Sequence, residues 1–300
     1  MFTKLLVANR GEIAVRIIRA CKEMGIRTVA VYSKADAESI HVALADEAIC
    51  IGEAAAKDSY LNQERIVSAA IASKAQAIHP GYGFLAENAS FANLCKKHGI
   101  AFIGPSGDLI ARMGDKDAAR RLMQQSGVPT IPGTEILEDA AAAKAAAEKI
   151  GYPVMLKASA GGGGKGIRLV RTPEEIEQAF NTASSEAQQA FGDGRMYMEK
   201  YIYPAKHIEV QLLCDDQGNV VCLGERECSI QRNNQKLIEE SPSPGVSKEK
   251  RRELFAAATK AAKAVGYVHA GTVEFLMDKD KNFYFMGMYT RLQVEHPGSE

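Results

Sequence analysis

Residues 157–166 read Lys-Ala-Ser-Ala-Gly-Gly-Gly-Gly-Lys-Gly, and an apolar segment lies on each side of them, at 152–156 and at 167–170. The apolar segments predict two buried strands that the glycines connect. Four consecutive glycines weaken any strand, but they allow close backbone approach and leave several N–H groups free for anionic oxygens. Lys157 and Lys165 add positive charge at both ends. The stretch therefore predicts a mobile loop that covers phosphates, with a plain flexible hairpin turn as the alternative.

The composition is typical of a soluble globular protein of about two domains. Of 300 residues, 46% are hydrophobic and 25% are charged, which are ordinary fractions. The 37 basic and 37 acidic side chains balance, so a nucleic-acid partner is not expected and any phosphate site must be local. The sequence contains no apolar run of about 18 residues, no signal peptide and no C-x-x-C pair. We therefore expect a cytoplasmic protein with reduced cysteines and no membrane association.

Strands and helices alternate through residues 1–115. Apolar runs predict strands at 4–8, 27–32, 46–51, 77–79 and 101–103, with helices at 13–23, 63–73 and 91–98. Such alternation predicts a doubly wound parallel sheet with helices on both faces. Gly11 stands alone where a dinucleotide-binding loop would carry three glycines, so we predict a scaffold turn there. The glycine loop at 161–164 also differs from such loops, because a strand and not a helix follows it.

The pattern changes to longer strands and hairpins after residue 115. Helices are predicted at 116–126, 139–150 and 251–265, and strands at 195–202, 207–214, 220–227, 271–277 and 282–290. The sequence therefore predicts an α/β domain over 1–115 followed by an α+β domain over 116–300.

The last two predicted strands bring polar side chains together. A turn near residue 280 places Glu274 opposite Met286 or Gly287. Continued alternation puts five residues on one face of the second strand: Gly287, Tyr289, Arg291, Gln293 and Glu295. This face is too polar for a core and predicts a site, with a solvated sheet face as the alternative. Because Mg²⁺ beside nucleotide phosphates takes one or two carboxylates, Glu274 is a candidate metal ligand.

Seven ordered segments carry a resemblance to one known family. They are Leu5-Leu-Val-Ala-Asn-Arg-Gly-Glu-Ile-Ala-Val-Arg16, His79-Pro-Gly-Tyr-Gly-Phe-Leu-Ala-Glu-Asn88, Gly104-Pro-Ser106, Met113-Gly-Asp-Lys116, the glycine loop, Gln231-Arg-Asn-Asn-Gln-Lys236 and Arg291-Leu-Gln-Val-Glu-His-Pro297. Over essentially the whole chain, they resemble biotin carboxylase, the ATP-grasp component of biotin-dependent carboxylases. The resemblance implies a Rossmann-like pre-ATP-grasp domain over 1–115 and an ATP-grasp domain over 116–300. It also implies a mobile lid at about 133–203. Members of the family have a further C-terminal subdomain, which we expect to be absent from this sequence.

The resemblance implies a two-step reaction. Bicarbonate attacks the γ-phosphate of ATP to give carboxyphosphate, which then carboxylates N1′ of biotin. The implied cofactors are ATP and Mg²⁺ or Mn²⁺, and biotin is the carrier-bound substrate. The implied partners are a biotin carboxyl carrier protein and a carboxyltransferase, as in the acetyl-CoA carboxylase of fatty acid biosynthesis. A homodimer is expected for the full-length protein.

The resemblance also implies roles for residues that match the family's motifs. Lys236, Arg291 and Glu295 would be catalytic, with Glu295 as the general base for bicarbonate and Arg291 stabilising the biotin enolate. Bicarbonate would be held by Lys236, Arg291, Gln293 and Val294. ATP would be bound by Lys116, Lys157, Gly163, Gly164, Lys165, Glu199, Lys200, Tyr201, Ile202, His207, Gln231, Asn234 and Glu274. Of these, Glu274 would also bind the metal ion.

This sequence departs from the family pattern at three positions near its end. Where the family usually reads Glu-Met-Asn-Thr-Arg, this chain has Gly287-Met-Tyr-Thr-Arg291, and Gly298 replaces a usual valine. Gly287 and Tyr289 thus replace two metal ligands of the family. We expect these changes to weaken metal binding. The lost transition-state stabilisation would be several kcal/mol, or about a thousandfold in rate. Because the sequence stops at Glu300, we also expect an exposed sheet edge and a tendency to aggregate.

Two alternatives to a biotin carboxylase remain at this point. One is another ATP-grasp ligase that activates a different carboxylate, which the set of Lys236, Arg291, Gln293, Val294 and Glu295 argues against. The other is a non-catalytic ATP-binding or assembly subunit, which Gly287 and Tyr289 support.

Overall fold

The structure of the chain, a computed structural model, describes residues 2–160, 165–232 and 235–300. Three positions that were predicted to bind ATP, Gly163, Gly164 and Asn234, lie outside these ranges.

The first part of the chain forms a five-stranded parallel sheet. Its strands are β1 (Lys4–Val7), β2 (Arg27–Ser33), β3 (Glu47–Gly52), β4 (Ala77–His79) and β5 (Ala101–Phe102), in the order β3-β2-β1-β4-β5. Its helices are α1 (Gly11–Glu23), α2 (Ile40–Leu44), α3 (Gln63–Ser73), α4 (Ala89–Lys97) and α5 (Gly107–Gly114). Leu5 and Val7 pack against α1, whereas Leu6 packs with residues of α3 and α4 on the opposite face. Both faces are buried, as in a doubly wound fold.

A second unit follows, with a small antiparallel sheet and its own core. It contains α7 (Ala140–Ile150), β6 (Val154–Ala158), β7 (Ile167–Val170), α8 (Ile176–Phe191) and β8 (Met196–Lys200). The strand order is β7-β6-β8, and the glycine loop connects β6 to β7. Val154, Leu156 and Val170 pack against alanines of both helices. This unit occupies the range predicted to be a lid, and its mobility stays a prediction.

The candidate site lies on a five-stranded antiparallel sheet. This part contains α6 (Lys116–Gln125), β9 (Ala205–Cys214), β10 (Val220–Arg232), β11 (Gln235–Glu240), α9 (Lys248–Val265), β12 (His269–Asp278) and β13 (Phe283–Tyr289). The strand order is β11-β10-β9-β12-β13. On β9, Ile208, Val210 and Leu212 face a core that includes residues of α6 and α9. Because strand side chains alternate, the residues between them form a polar face on the other side. The fold class predicted from sequence is confirmed.

The last strand is shorter than predicted. β13 ends at Tyr289, which pairs with Thr272, and the chain then runs irregularly into a 3₁₀ turn at His296–Ser299. The backbone N–H of Thr290 donates to the carboxylate of Glu87 instead of continuing the ladder. The prediction that 287–295 share one strand face is therefore wrong beyond Tyr289. Likewise β8 ends at Lys200 and not at Ile202.

Within the described ranges, no helix has both the length and the apolarity that crossing a bilayer requires.

Candidate active site

A row of directly paired residues crosses four strands on the polar face of the large sheet. Arg226 on β10 pairs with Glu209 on β9, which in turn pairs with Glu274 on β12. Glu274 pairs with Gly287 on β13, one of the two positions predicted for it. The same face carries a second row, Gln211, Thr272 and Tyr289. Since all of these side chains project from one side of the sheet, the site has a rigid floor.

Lys236 on β11 lies over this floor among three carboxylates. Its Nζ is 2.5 Å from Oε2 of Glu209, 3.1 Å from Oε1 of Glu274 and 2.8 Å from Oε1 of Glu295. Burial disfavours the charged lysine, but the carboxylates of Glu274 and Glu209 outweigh it and raise the pKa of Lys236. The ammonium therefore stays protonated and joins β9, β12 and the C-terminal segment.

His207 extends this cluster along β9. Its Nδ1 is 2.8 Å from Nε2 of Gln231, and its Nε2 is 3.2 Å from Oε1 of Glu274. Burial alone would raise the pKa of Glu274, but His207 and Lys236 beside it lower it, so the carboxylate is ionised. His207, Glu209 and Glu274 each offer a metal-ligating atom within 4.8 Å of the others. The oxygens of Glu209 are both engaged, by Arg226 and Lys236.

A cavity of about 330 Å³ lies beside Glu274 and carries three lysines. The lysines are Lys116 at the start of α6, Lys157 on β6 and Lys165 after the glycines. Nζ of Lys157 lies 2.5 Å from Oε2 of Glu199. Shielding from water by the cavity walls and the charge of Lys157 both lower the pKa of Lys116. The positive lining suits a polyphosphate anion.

The irregular segment 291–295 is held by contacts from other elements. Nε of Arg291 donates to Oε2 of Glu87 over 2.8 Å, and its guanidinium lies 4.8 Å from the ring centre of Tyr289. Oε1 of Gln293 accepts from Nη2 of Arg226 over 3.0 Å, and Glu295 contacts Lys236. Arg291, Gln293 and Glu295 thus meet the sheet, although not as strand neighbours.

The remaining predicted residues lie away from this cluster. The side chain of Val294 is exposed. Lys200 donates to the carbonyl oxygens of Gly151 and Tyr152, within the second unit. Tyr201 stacks on Tyr203, and Ile202 lies between them in the irregular segment after β8. The roles of Lys200, Tyr201 and Ile202 in ATP binding stay predictions, as does the role of Val294 in bicarbonate binding.

Sequence reasoning missed three residues that organise the site: Glu87, Glu209 and Arg226. Glu209 lies two residues from His207 on a predicted strand, and this spacing puts both on one face. The segment 79–88 included Glu87, but its partner Arg291 is 204 residues away. Arg226 lies opposite Glu209 on the neighbouring strand of a predicted hairpin, but no local pattern marks its contacts to Thr272, Gln293 and Ser299, because these residues are remote in the sequence.

Two family models match the chain. "Biotin carboxylase, N-terminal domain" matches residues 1–110, and "Carbamoyl-phosphate synthase L chain, ATP binding domain" matches residues 115–300.

Curated relatives are similar along the whole chain. It is 58% identical to Biotin carboxylase 1 of Bacillus subtilis and 56% identical to biotin carboxylase of a Nostoc species. Each alignment covers all of this chain and 67% of the relative, so the chain spans about two thirds of their length. It is also 54% identical to the mitochondrial methylcrotonoyl-CoA carboxylase subunit alpha of Dictyostelium discoideum, over 99% of this chain and 43% of that protein.

Solved structures share the fold. Biotin carboxylase from Campylobacter jejuni, in a complex with β-γ-ATP, has a TM-score of 0.97 and 53% identity, over all of this chain and 68% of that chain. The biotin carboxylase domain dimer of 2-oxoglutarate carboxylase from Hydrogenobacter thermophilus has a TM-score of 0.94 and 55% identity, over all of this chain and 66% of that chain. That domain was solved with MgADP, ADP and bicarbonate.

Proposed function

Since the chain belongs to the biotin carboxylase family, whose members are ATP-dependent ligases, we propose that it carboxylates biotin on a carrier protein with ATP and bicarbonate. The observation that carries this proposal is the position of Glu274. This residue lines the lysine-lined cavity and also contacts Lys236. A phosphate site and an anion site therefore adjoin, as transfer of a phosphoryl group to bicarbonate requires.

We assign the cavity to the phosphates of the nucleotide. Lys116, Lys157 and Lys165 supply three positive charges around it, and charge neutralisation with positioning is most of what phosphoryl transfer needs. The residues on either side of the glycines, Lys157 and Ala158 before them and Lys165 and Ile167 after them, line this cavity, which supports the predicted role of the loop as a cover. The MgADP of the Hydrogenobacter domain is consistent with this assignment.

The described residues offer one carboxylate for a divalent cation. Oε1 of Glu274 contacts Lys236 and His207, whereas Oε2 faces Gly287. The other acid lining the cavity, Glu87, is paired with Arg291. Because Mg²⁺ in such sites uses one or two carboxylates together with phosphates, Glu274 and the nucleotide would hold one Mg²⁺ or Mn²⁺. When bound, the ion would neutralise phosphate charge. A second ion bridged by two carboxylates does not fit these residues.

We assign bicarbonate to the space between Lys236 and the segment 291–295. Lys236, Arg291 and Gln293 carry donor groups there, and Glu295 lies within contact of Lys236. Burial opposes ionisation of Glu295, but Lys236 lowers its pKa, so it is a carboxylate that can accept the bicarbonate proton. The bicarbonate oxygen then attacks the γ-phosphorus and ADP leaves. The carboxyl carbon of the resulting carboxyphosphate then bonds to N1′ of biotin, its C–O bond to phosphate breaks, and the released phosphate takes the N1′ proton.

The partners of the reaction follow from the same proposal. We expect a biotin carboxyl carrier protein as the substrate and a carboxyltransferase as the next enzyme, with acetyl-CoA carboxylase of fatty acid biosynthesis as the preferred context. A homodimer and a cytoplasmic location are proposed with it. A non-catalytic ATP-binding subunit is the second candidate, because Glu274 is the one described carboxylate of the cavity that is available to a metal ion, Glu87 being paired with Arg291.

ADP release in the presence of ATP, bicarbonate and free biotin tests the proposal. We expect turnover that requires bicarbonate and rises with biotin. Lys236→Gln should abolish this turnover, whereas Lys248→Gln, at an exposed position at the start of α9, should leave it unchanged. Nucleotide binding without bicarbonate-dependent turnover would favour the non-catalytic subunit. Turnover that requires a different carboxylate would favour another ligase.

A further inference from the structure

We propose that Arg226 is a positioning residue that orients two bicarbonate-binding donors at once, the amide of Gln293 and the ammonium of Lys236. This inference rests on the proposed function, and it assigns a role to a side chain that does not itself reach the substrate.

The guanidinium of Arg226 lies at the centre of the polar face with no exposed side-chain surface. It donates to five oxygens: Oε1 of Glu209 at 2.7 Å, Oε1 of Gln211 at 3.0 Å, Oε1 of Gln293 at 3.0 Å, Oγ of Ser299 at 2.7 Å and Oγ1 of Thr272 at 3.4 Å. A guanidinium has five N–H donors and no acceptor. A buried charge of this kind is costly unless it is paired and hydrogen-bonded, as it is here by Glu209 and four neutral oxygens.

The first consequence concerns Gln293. Because Arg226 can only donate, it binds the oxygen of the Gln293 amide and turns the NH₂ group away from itself. Gln293 is 3% exposed, so this contact fixes the direction of an almost fully buried side chain. An anion needs N–H donors, and the amide therefore presents the correct end to bicarbonate.

The second consequence concerns Lys236. The carboxylate of Glu209 has no exposed surface, and it accepts from Arg226 through Oε1 and from Lys236 through Oε2. Because the guanidinium of Arg226 holds Oε1 of Glu209, the position of Oε2 is also fixed. Oε2 in turn fixes the position of the Lys236 ammonium. Arg226 thus sets the position of Lys236 through one intervening carboxylate.

The third consequence concerns the backbone that carries Glu295. Oγ of Ser299 accepts from Arg226 and donates to the carbonyl oxygen of His296 over 2.9 Å. Arg226 therefore anchors both ends of the segment 293–299 to β10. The segment belongs to no strand ladder and ends in the 3₁₀ turn at His296–Ser299, so these two hydrogen bonds, together with the contact of Glu295 to Lys236, hold it against the sheet.

Arg226→Lys is the first test, because lysine keeps the charge but loses the planar fork that reaches separate acceptors. We expect the KM for bicarbonate to rise at least about tenfold, with kcat changed less and the affinity for ADP within about twofold. The shift that bicarbonate causes in the unfolding midpoint, measured with ADP present, should weaken in parallel. An unchanged KM for bicarbonate would overturn the inference.

Arg251→Lys is the matched control. Arg251 binds the buried carboxylate of Glu225, also on β10, with distances of 2.7–2.8 Å, but it has no contact to the segment 293–299. The Arg251→Lys variant should have a lower free energy of unfolding but an unchanged KM for bicarbonate. An equal rise in both variants would mean that Arg226 acts only through general stability and would overturn the inference.

Gln293→Glu tests the same idea without changing the arginine. The new carboxylate can still accept from Arg226, so the fold should be retained, but its other atom is now an acceptor facing the anion. We expect bicarbonate binding to be lost while ADP binding stays. Wild-type affinity for bicarbonate in this variant would overturn the inference. If the unmodified chain shows neither bicarbonate-dependent turnover nor a bicarbonate-induced shift, the proposed function itself fails.

Discussion

Glu274 lies directly opposite Gly287, and its Oε2 is 4.0 Å from the place that a Cβ on residue 287 would occupy. Apart from the chain neighbours of Gly287, no other heavy atom of the described residues lies within that distance of the Cβ, and the backbone of Gly287 is not in the left-handed region. The site therefore has room for a side chain at 287. The absence of a carboxylate at position 287 is therefore a matter of sequence and not of packing.

Restoring that carboxylate should make the site depend on metal. We expect the double variant Gly287→Glu, Tyr289→Asn to bind ADP at least about tenfold more tightly with Mg²⁺ than with EDTA, because two carboxylates then share the ion. The unmodified chain should show a smaller ratio. Bicarbonate-dependent ATP hydrolysis should rise by up to about a thousandfold. Isothermal titration with and without Mg²⁺ measures the first effect and ADP release the second.

Gly298→Val is the control for this variant, since it changes another position that departs from the family pattern. A Cβ on Gly298 meets no atom of the described residues within 4 Å, its chain neighbours aside, and the residue does not line the cavity. The Gly298→Val variant should show the same ratio of ADP affinities with Mg²⁺ and with EDTA as the unmodified chain. Equal metal dependence of the unmodified chain and the double variant would show that Glu274 and phosphates suffice.

The parts of this site that could be read from the sequence are those set by local pattern. Counting outwards from the turn near residue 280 predicts Met286 or Gly287 opposite Glu274, and the structure has Gly287 there, because hairpin pairing depends mainly on the turn and the period of two. The alternation of residues 207–212 likewise predicts one polar and one apolar face. The lysines at 157 and 165 were found from their position beside the glycines.

The missed parts depend on contacts between remote segments. β13 ends because Glu87 takes the N–H of Thr290, over 203 residues of sequence. Arg226 reaches Gln293 over 67 residues and Ser299 over 73. Periodicity indicates which face a residue occupies but not which distant side chain it contacts, so it predicts too long a β13 and gives no sign of the contacts that Arg226 makes to Gln293 and Ser299.

Removing the charge of Glu87 should disturb Arg291 without changing the fold. In Glu87→Gln the amide can still contact the backbone of Thr290, but the charged partner of Arg291 at 2.8 Å is lost. We expect biotin-dependent turnover to fall by about tenfold to a hundredfold, since small displacements of a reacting group have effects of this size. Glu53→Gln, at an exposed ion pair with Lys34, should have no effect. Turnover equal to wild type in Glu87→Gln would show that Arg291 does not need this partner.

The carboxylate of Asp36 should make the N-terminal domain sensitive to acid. Burial opposes its ionisation, but hydrogen bonds from Ser33 and Tyr60 and the charge of Arg10 lower the pKa of Asp36. A lowered folded-state pKa means that this stability is present above the unfolded pKa of about 4 and is lost as the pH falls through the folded value. Asp36→Asn should cost about 1–3 kcal/mol at pH 7 and clearly less at pH 3, as measured by urea unfolding. An equal cost at both pH values would contradict this.

The lysines of the cavity should bind phosphate and not the base of the nucleotide. Lys116→Gln and Lys157→Gln each remove one positive charge from the cavity walls, and we expect each to weaken ADP binding about tenfold while the affinity for adenosine stays within about twofold. Lys157→Gln should have the smaller effect, because that charge is already partly neutralised by Glu199 at 2.5 Å. Lys144→Gln, on the exposed surface of α7, is the matched control and should change neither affinity. Titrating ADP and adenosine against each variant separates the two contributions. Equal losses for both ligands would show that these lysines hold the fold of the cavity and not the phosphates.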